Sequence, residues 1–193
     1  MARIDLTNYL THWVKSDTEQ EAYRILSSII VSGKLYGGNG HIKGKYTCIC
    51  FTETPEKAFQ ESESRYQPFE IQVPKSWIFE QGGRPVIYQS DNEFDALPES
   101  IRWRHVRYEP NADSPIDFTW EREWRIQTNE LDLPTDKACV IVPDASWVTA
   151  LVDEHMSHES FRIYEESIAY GDAYMMQDPE DNCYNYSVIN TET

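Results

Sequence analysis

Asp117-Phe118-Thr119-Trp120-Glu121-Arg122-Glu123-Trp124-Arg125-Ile126 is the densest run of chemically useful groups in the chain. Read as a strand, its side chains alternate between two faces. Glu121, Glu123 and Arg125 then share one face, and Arg122, Trp124 and Ile126 the other. Two carboxylates and a guanidinium, with a Trp and an Ile packing behind them, make a candidate site on a rigid support. The plainer reading is a solvated face whose Glu and Arg pair in water and contribute little.

Working outward, the flanking segments predict short strands separated by brief helices. Downstream, 138–142 is an apolar run of the kind buried on both faces of a sheet. Residues 147–152 read as a further strand, 157–169 as a helix with Phe161, Tyr164 and Ile168 on one stripe, and 184–189 as a late strand. Upstream, 84–89 reads as a strand whose Pro85 suits an edge. Residues 69–73 form another strand, stopped by Pro74 and followed by a helical turn over 75–81. Residues 46–51 form a strand, and Pro55 can open a helix over 55–65. Near the start, alternation over 9–15 predicts a strand. Ser16 with Glu19 offers a capping box. The helix that follows carries Ala22, Ile25, Leu26, Ile29 and Ile30 as its buried stripe and ends at Gly33. Residues 36–40 read as a flexible glycine loop. The order predicts an α+β fold, with helices laid against split or twisted sheets. One domain is expected over 1–170, with an acidic polar tail over 171–193 that can add a strand.

Composition narrows the function classes. The chain has 193 residues, 40% of them hydrophobic and 13% aromatic, which is globular and not disordered. No apolar run approaches the roughly 20 residues of a membrane span. The first residues lack the basic-then-apolar order of a signal peptide, so a cytoplasmic location is expected. The net charge of −16, from 33 acidic and 17 basic residues, repels phosphate backbones at long range. It suits solubility, a basic protein partner, or imitation of nucleic acid. Cys48 and Cys50 lie two apart, but no second pair completes a zinc set; they read as small buried hydrophobes, and no metal site is expected. Ile101-Arg102-Trp103-Arg104-His105-Val106-Arg107-Tyr108 is the one basic patch. It can hold an anion or stack a base; alternatively its aromatics pack while its arginines neutralise nearby acids.

Three stretches taken together resemble the ADP-ribosyltransferase-like superfamily. They are Leu10-Thr11-His12-Trp13 with the helix that ends at Ser32-Gly33, Cys50-Phe51-Thr52-Glu53-Thr54-Pro55, and Trp120-Glu121-Arg122-Glu123-Trp124-Arg125. The pattern is most similar to small phage and bacterial proteins of the AbiGi abortive-infection type, and more distantly to DarT toxins. It departs from the best-studied pattern in placing Trp13 after His12 and in having no clear Ser-Thr-Ser at the second motif. The resemblance implies an ADP-ribosyltransferase-like fold, NAD as cofactor, and a role in phage–bacterium conflict, as defence effector, toxin or counter-defence factor. It implies that His12 holds the nicotinamide ribose, that Phe51 and Thr52 flank the nicotinamide, that Glu123 is the catalytic carboxylate, and that Glu121 helps orient the acceptor. Protein side chain, nucleic acid and water all fit as acceptor.

The chemistry suits these residue types. Breaking the nicotinamide–ribose bond develops oxocarbenium-like charge on the sugar. A carboxylate beside it stabilises that charge, most strongly where water is excluded. Arg125 or Arg84 can pair with the pyrophosphate, since a guanidinium meets phosphate in a bidentate way. Arg125 can equally pair with Glu123.

Overall fold

The computed structural model describes residues 7–54, 68–170 and 186–191. The first half runs β1 (Tyr9–Trp13), α1 (Glu19–Ser32), β2 (Lys34–Tyr36), β3 (Ile49–Thr52), β4 (Glu70–Pro74) and α2 (Lys75–Glu80). Then come β5 (Arg84–Pro85), β6 (Ile87–Gln89), two 3-10 helices (Asp91–Ala96 and Glu99–Arg104) and β7 (His105–Arg107). A 3-10 turn (Thr119–Glu121) leads into β8 (Glu123–Ile126), followed by β9 (Glu130–Asp132), β10 (Cys139–Val142), α3 (Ala145–Tyr170) and β11 (Ser187–Asn190). This is a mixed α+β arrangement, as the pattern predicts.

Seven strands form one sheet in the order β11-β10-β4-β1-β3-β8-β5. Its neighbours are antiparallel except for β10 with β11. β1 pairs with β4 along its whole length but meets β3 at one register pair, Thr11 with Thr52. β2 pairs with β9, and β6 with β7, in two small ribbons.

The strand pleat gives the sheet two chemically different faces. Leu10, Val14, Ile49, Phe51, Ile71, Val73, Trp124, Ile126, Val140 and Val142 belong to one hydrophobic cluster. Leu26 and Ile30 of α1 and Leu151 of α3 join them there. Each such side chain contributes about 1.5–3 kcal/mol on leaving water. The intervening positions carry Thr11, Cys50, Thr52, Gln72, Glu123 and Arg125, so the opposite face is polar.

Several local expectations shift. The cap of α1 is Thr18, whose hydroxyl accepts from Glu21 N at 3.2 Å; Ser16 lies two residues before it and donates to the Thr18 carbonyl. The buried stripe of α1 is Ala22, Tyr23, Leu26, Ser27 and Ile30, with Ile25 exposed. The stripe turns because the Tyr23 and Ser27 hydroxyls both donate to Glu154 on α3, each at 2.6 Å. Residues 36–40 are pinned and not a free loop. Gly37 N donates to the Asn129 carbonyl, and Gly38 and Cys48 exchange two backbone hydrogen bonds. The expected strand over 147–152 is the start of α3. Asp144 caps it by accepting from Ser146 N at 2.7 Å and from Trp147 N at 3.4 Å. Phe161, Tyr164 and Ile168 do lie on a helix, and all three are exposed. The helix expected over 55–65, and most of the acidic tail, lie outside the described residues.

Candidate functional site

The decisive stretch splits at Arg122. Asp117 Oδ1 accepts from Thr119 N at 2.8 Å and from its hydroxyl at 2.6 Å, which winds Thr119–Glu121 into a 3-10 turn. Arg122 then takes a left-handed conformation, φ 48°, uncommon for a residue with a side chain. The strand begins only at Glu123, so Glu121 does not share the strand face with Glu123 and Arg125 as the alternation predicts.

Glu123 and Arg125 form a buried, bidentate ion pair, Nε to Oε1 at 2.7 Å and Nη2 to Oε2 at 3.2 Å. Arg125 Nη1 donates to the carbonyls of Trp103, at 3.0 Å, and His105, at 2.9 Å. Burial opposes the Arg125 charge, but Glu123 outweighs it and holds the Arg125 pKa above its ordinary value. Of the two partners considered for Arg125, the structure gives it Glu123. The guanidinium thereby also ties the 103–105 segment to the sheet.

Strand register puts Thr52 opposite Glu123, and Thr11 opposite Thr52. The row Thr11–Thr52–Glu123 thus crosses three adjacent strands on the polar face, and all three residues are buried. Cys50 stands opposite Arg125 in the next row. Burial, and then the nearby Glu123 carboxylate, push the Cys50 thiol far up. Burial likewise pushes Cys48 up to about 11. Both therefore stay protonated and unreactive as nucleophiles. The Tyr88 hydroxyl accepts from Glu123 N at 3.0 Å, and burial raises its pKa to about 12.

His12 and Phe51 come together on the other side of the pleat. Their rings meet edge-on with centroids 5.8 Å apart, and strand parity groups His12 with Leu10 and Val14. His12 Nδ1 lies 2.9 Å from the Cys50 carbonyl, where β1 and β3 have ceased to pair. A carbonyl only accepts, so Nδ1 carries the proton. Burial lowers the His12 pKa, which favours the neutral ring. Nε2 is then left as an acceptor, so in this tautomer His12 can accept from a ribose hydroxyl but not donate to one. Of the residues expected around one NAD, the structure joins Thr52, Glu123 and Arg125, and separately His12 and Phe51.

Arg84 lies opposite Arg125 on edge strand β5. Its Nη1 donates to the carbonyls of Phe79, at 2.8 Å, and Gly83, at 2.6 Å, while its guanidinium lies 3.9 Å from the centroid of the Phe79 ring. In the basic patch, Trp103 is buried and Arg102 bonds the carbonyls of Leu97 and Asp95.

The sequence alone did not single out Glu53, Tyr88 or Thr11. Glu53 Oε2 accepts from Trp124 Nε1 at 2.7 Å and Oε1 from Lys75 Nζ at 2.6 Å. That one carboxylate joins the second and third motifs to α2. Its only local signal is its place inside the second motif. Tyr88 has none, because its role depends on a contact 35 residues away in sequence.

Comparison of the chain with protein-family models, with curated proteins and with solved structures returns no match. Among the described residues, no helix is long and apolar enough to cross a membrane.

Proposed function

We propose that this chain is an ADP-ribosyltransferase-like protein that cleaves NAD through Glu123 and passes ADP-ribose to an acceptor or to water. One observation carries the reading. The three stretches behind the resemblance, far apart in sequence, lie on adjacent strands β1, β3 and β8, with Thr11, Thr52 and Glu123 in one row. In the reaction, the bond between ribose C1′ and the nicotinamide nitrogen breaks, and its electron pair leaves with neutral nicotinamide. The acceptor or water then bonds to C1′ and gives up a proton. Glu123 stabilises the developing positive charge, and the bidentate grip of Arg125 keeps its carboxylate in one orientation. A carboxylate offers about four lone-pair sites, so each oxygen bound to Arg125 can still accept a substrate hydroxyl. Phage–bacterium conflict is the setting that the resemblance suggests.

The test is release of free nicotinamide from NAD by the purified protein, with and without cell lysate, beside a folded Glu123→Gln variant. Release that needs Glu123 and lysate supports a transferase. Release that needs Glu123 but no lysate supports NAD hydrolysis or self-modification. Release that survives Glu123→Gln overturns the assignment.

A second reading is a non-catalytic acidic module that binds a basic protein partner. It is favoured by the internal pairing of both Glu123 oxygens and by the net charge of −16. A partner held by charge dissociates as salt rises, whereas NAD turnover changes much less.

A further inference from the structure

The acidic chain keeps two arginines together without a carboxylate. Arg104 Nε donates to the Pro85 carbonyl at 2.9 Å, one residue from Arg84. Its neighbours Trp103 and His105 are the two residues whose carbonyls Arg125 holds, so its backbone is anchored on both sides. Arg84 is fixed by the Phe79 and Gly83 carbonyls and by the Phe79 ring. Among the described residues, no Asp or Glu pairs with either guanidinium. Carbonyl oxygens orient a guanidinium but leave its charge uncompensated. Burial, and then the like charge of Arg84, lower the Arg104 pKa. In a chain with 33 acidic residues, two nearby arginines that no described carboxylate neutralises leave positive charge for an anion to meet. Both side chains are half-buried, and among the described residues no acceptor meets Nη2 of Arg84 or either terminal nitrogen of Arg104.

We propose that Arg84 and Arg104 together form a phosphate-binding clamp at the β5 edge of the sheet, taking the phosphate or pyrophosphate of a small nucleotide. Two oriented guanidiniums match phosphate oxygens in geometry and charge. β5 pairs directly with β8, which carries Glu123, so a nucleotide gripped here extends towards that carboxylate. A small ligand is favoured over a nucleic-acid strand because the rest of the surface repels a polyanion. The clamp does not depend on NAD turnover; only the naming of the nucleotide as NAD rests on the function proposed above.

Calorimetric titration with pyrophosphate, ADP and a short single-stranded oligonucleotide tests this, using wild type, Arg84→Gln, Arg104→Gln and the double variant. Thermal unfolding confirms that each variant is folded. Pyrophosphate and ADP are expected to bind wild type, each single variant to weaken them about tenfold, and the double variant to abolish binding. Lysine at either position should recover only part of the affinity, because it keeps the charge and loses the fork. No binding by folded wild type, binding indifferent to both arginines, or binding of the oligonucleotide alone overturns the clamp. If ADP binds in an arginine-dependent way and NAD releases no nicotinamide, the clamp stands and the transferase reading falls. If nicotinamide is released while neither pyrophosphate nor ADP binds in an arginine-dependent way, the transferase reading stands and the clamp falls.

Discussion

Arg125 grips both oxygens of Glu123, its neighbour two residues back on the same strand face, at 2.7 and 3.2 Å. With the Trp103 and His105 carbonyls also bound to Arg125, this pair is a structural anchor as well as the candidate catalytic group. Replacing Arg125 with Met leaves a buried carboxylate uncompensated and should cost roughly 3–5 kcal/mol in urea unfolding. Adding Glu123→Gln to Arg125→Met should recover much of that loss. If the double variant is no more stable than Arg125→Met alone, unpaired charge is not the cause.

His12 sets a pH dependence whose sign follows from its burial. Desolvation lowers its pKa from the ordinary 6.5, partly offset by the hydrogen bond to the Cys50 carbonyl. As pH falls below 6.5, the unfolded chain binds the proton before the folded one does. Stability therefore drops between 6.5 and the lower folded value, and this contribution is flat above 6.5. Asp91 and Asp144, whose pKa values lie below the ordinary 3.8, do not contribute to the slope just below 6.5. His12→Asn should flatten the slope just below 6.5; a slope unchanged in that variant would assign it to another group.

Gly37 is needed for close approach. A Cβ there runs into the Thr128 carbonyl oxygen and the Thr47 side chain, where the backbone after β2 meets the turn into β9. Gly37→Ala should cost about 1–3 kcal/mol through this overpacking. Gly38→Ala, with open space around the same position, is the matched control. Equal losses from the two would mean that the contact does not matter.

Glu53 tests how the motifs are joined. Glu53→Ala leaves Trp124 Nε1 without its acceptor and Lys75 without its partner, at an expected cost of about 1–3 kcal/mol. Glu53→Gln keeps an acceptor for the indole and loses only a partly exposed ion pair, so it should cost under about 1 kcal/mol. Chemical denaturation followed by Trp fluorescence compares them, and a Gln variant as unstable as the Ala variant would count against the indole contact.

Much of the local structure was legible because its causes are local. Alternation in β1, the Gly33 stop of α1 with φ 62°, the Pro74 boundary of β4 and the apolar run of β10 each depend on a few neighbouring residues. The run from Trp147 to Val152 misled because short apolar segments with β-branched residues suit a strand or a buried helix equally; the Asp144 cap decides for α3. The early start expected for the strand before Ile126 failed because Asp117 closes its own turn onto Thr119.

The sequence by itself determined the α+β class, most of the elements and the three stretches worth bringing together. Only the tertiary structure decided that Thr11, Thr52 and Glu123 stand in one row, that His12 sides with Phe51, that Arg125 belongs to Glu123, and that Arg84 and Arg104 lie together. Strand alternation and helix caps are written in side chains a few positions apart. Pairing across a sheet is set by register between segments tens of residues apart, and a single-residue slip would turn every one of these side chains to the other face.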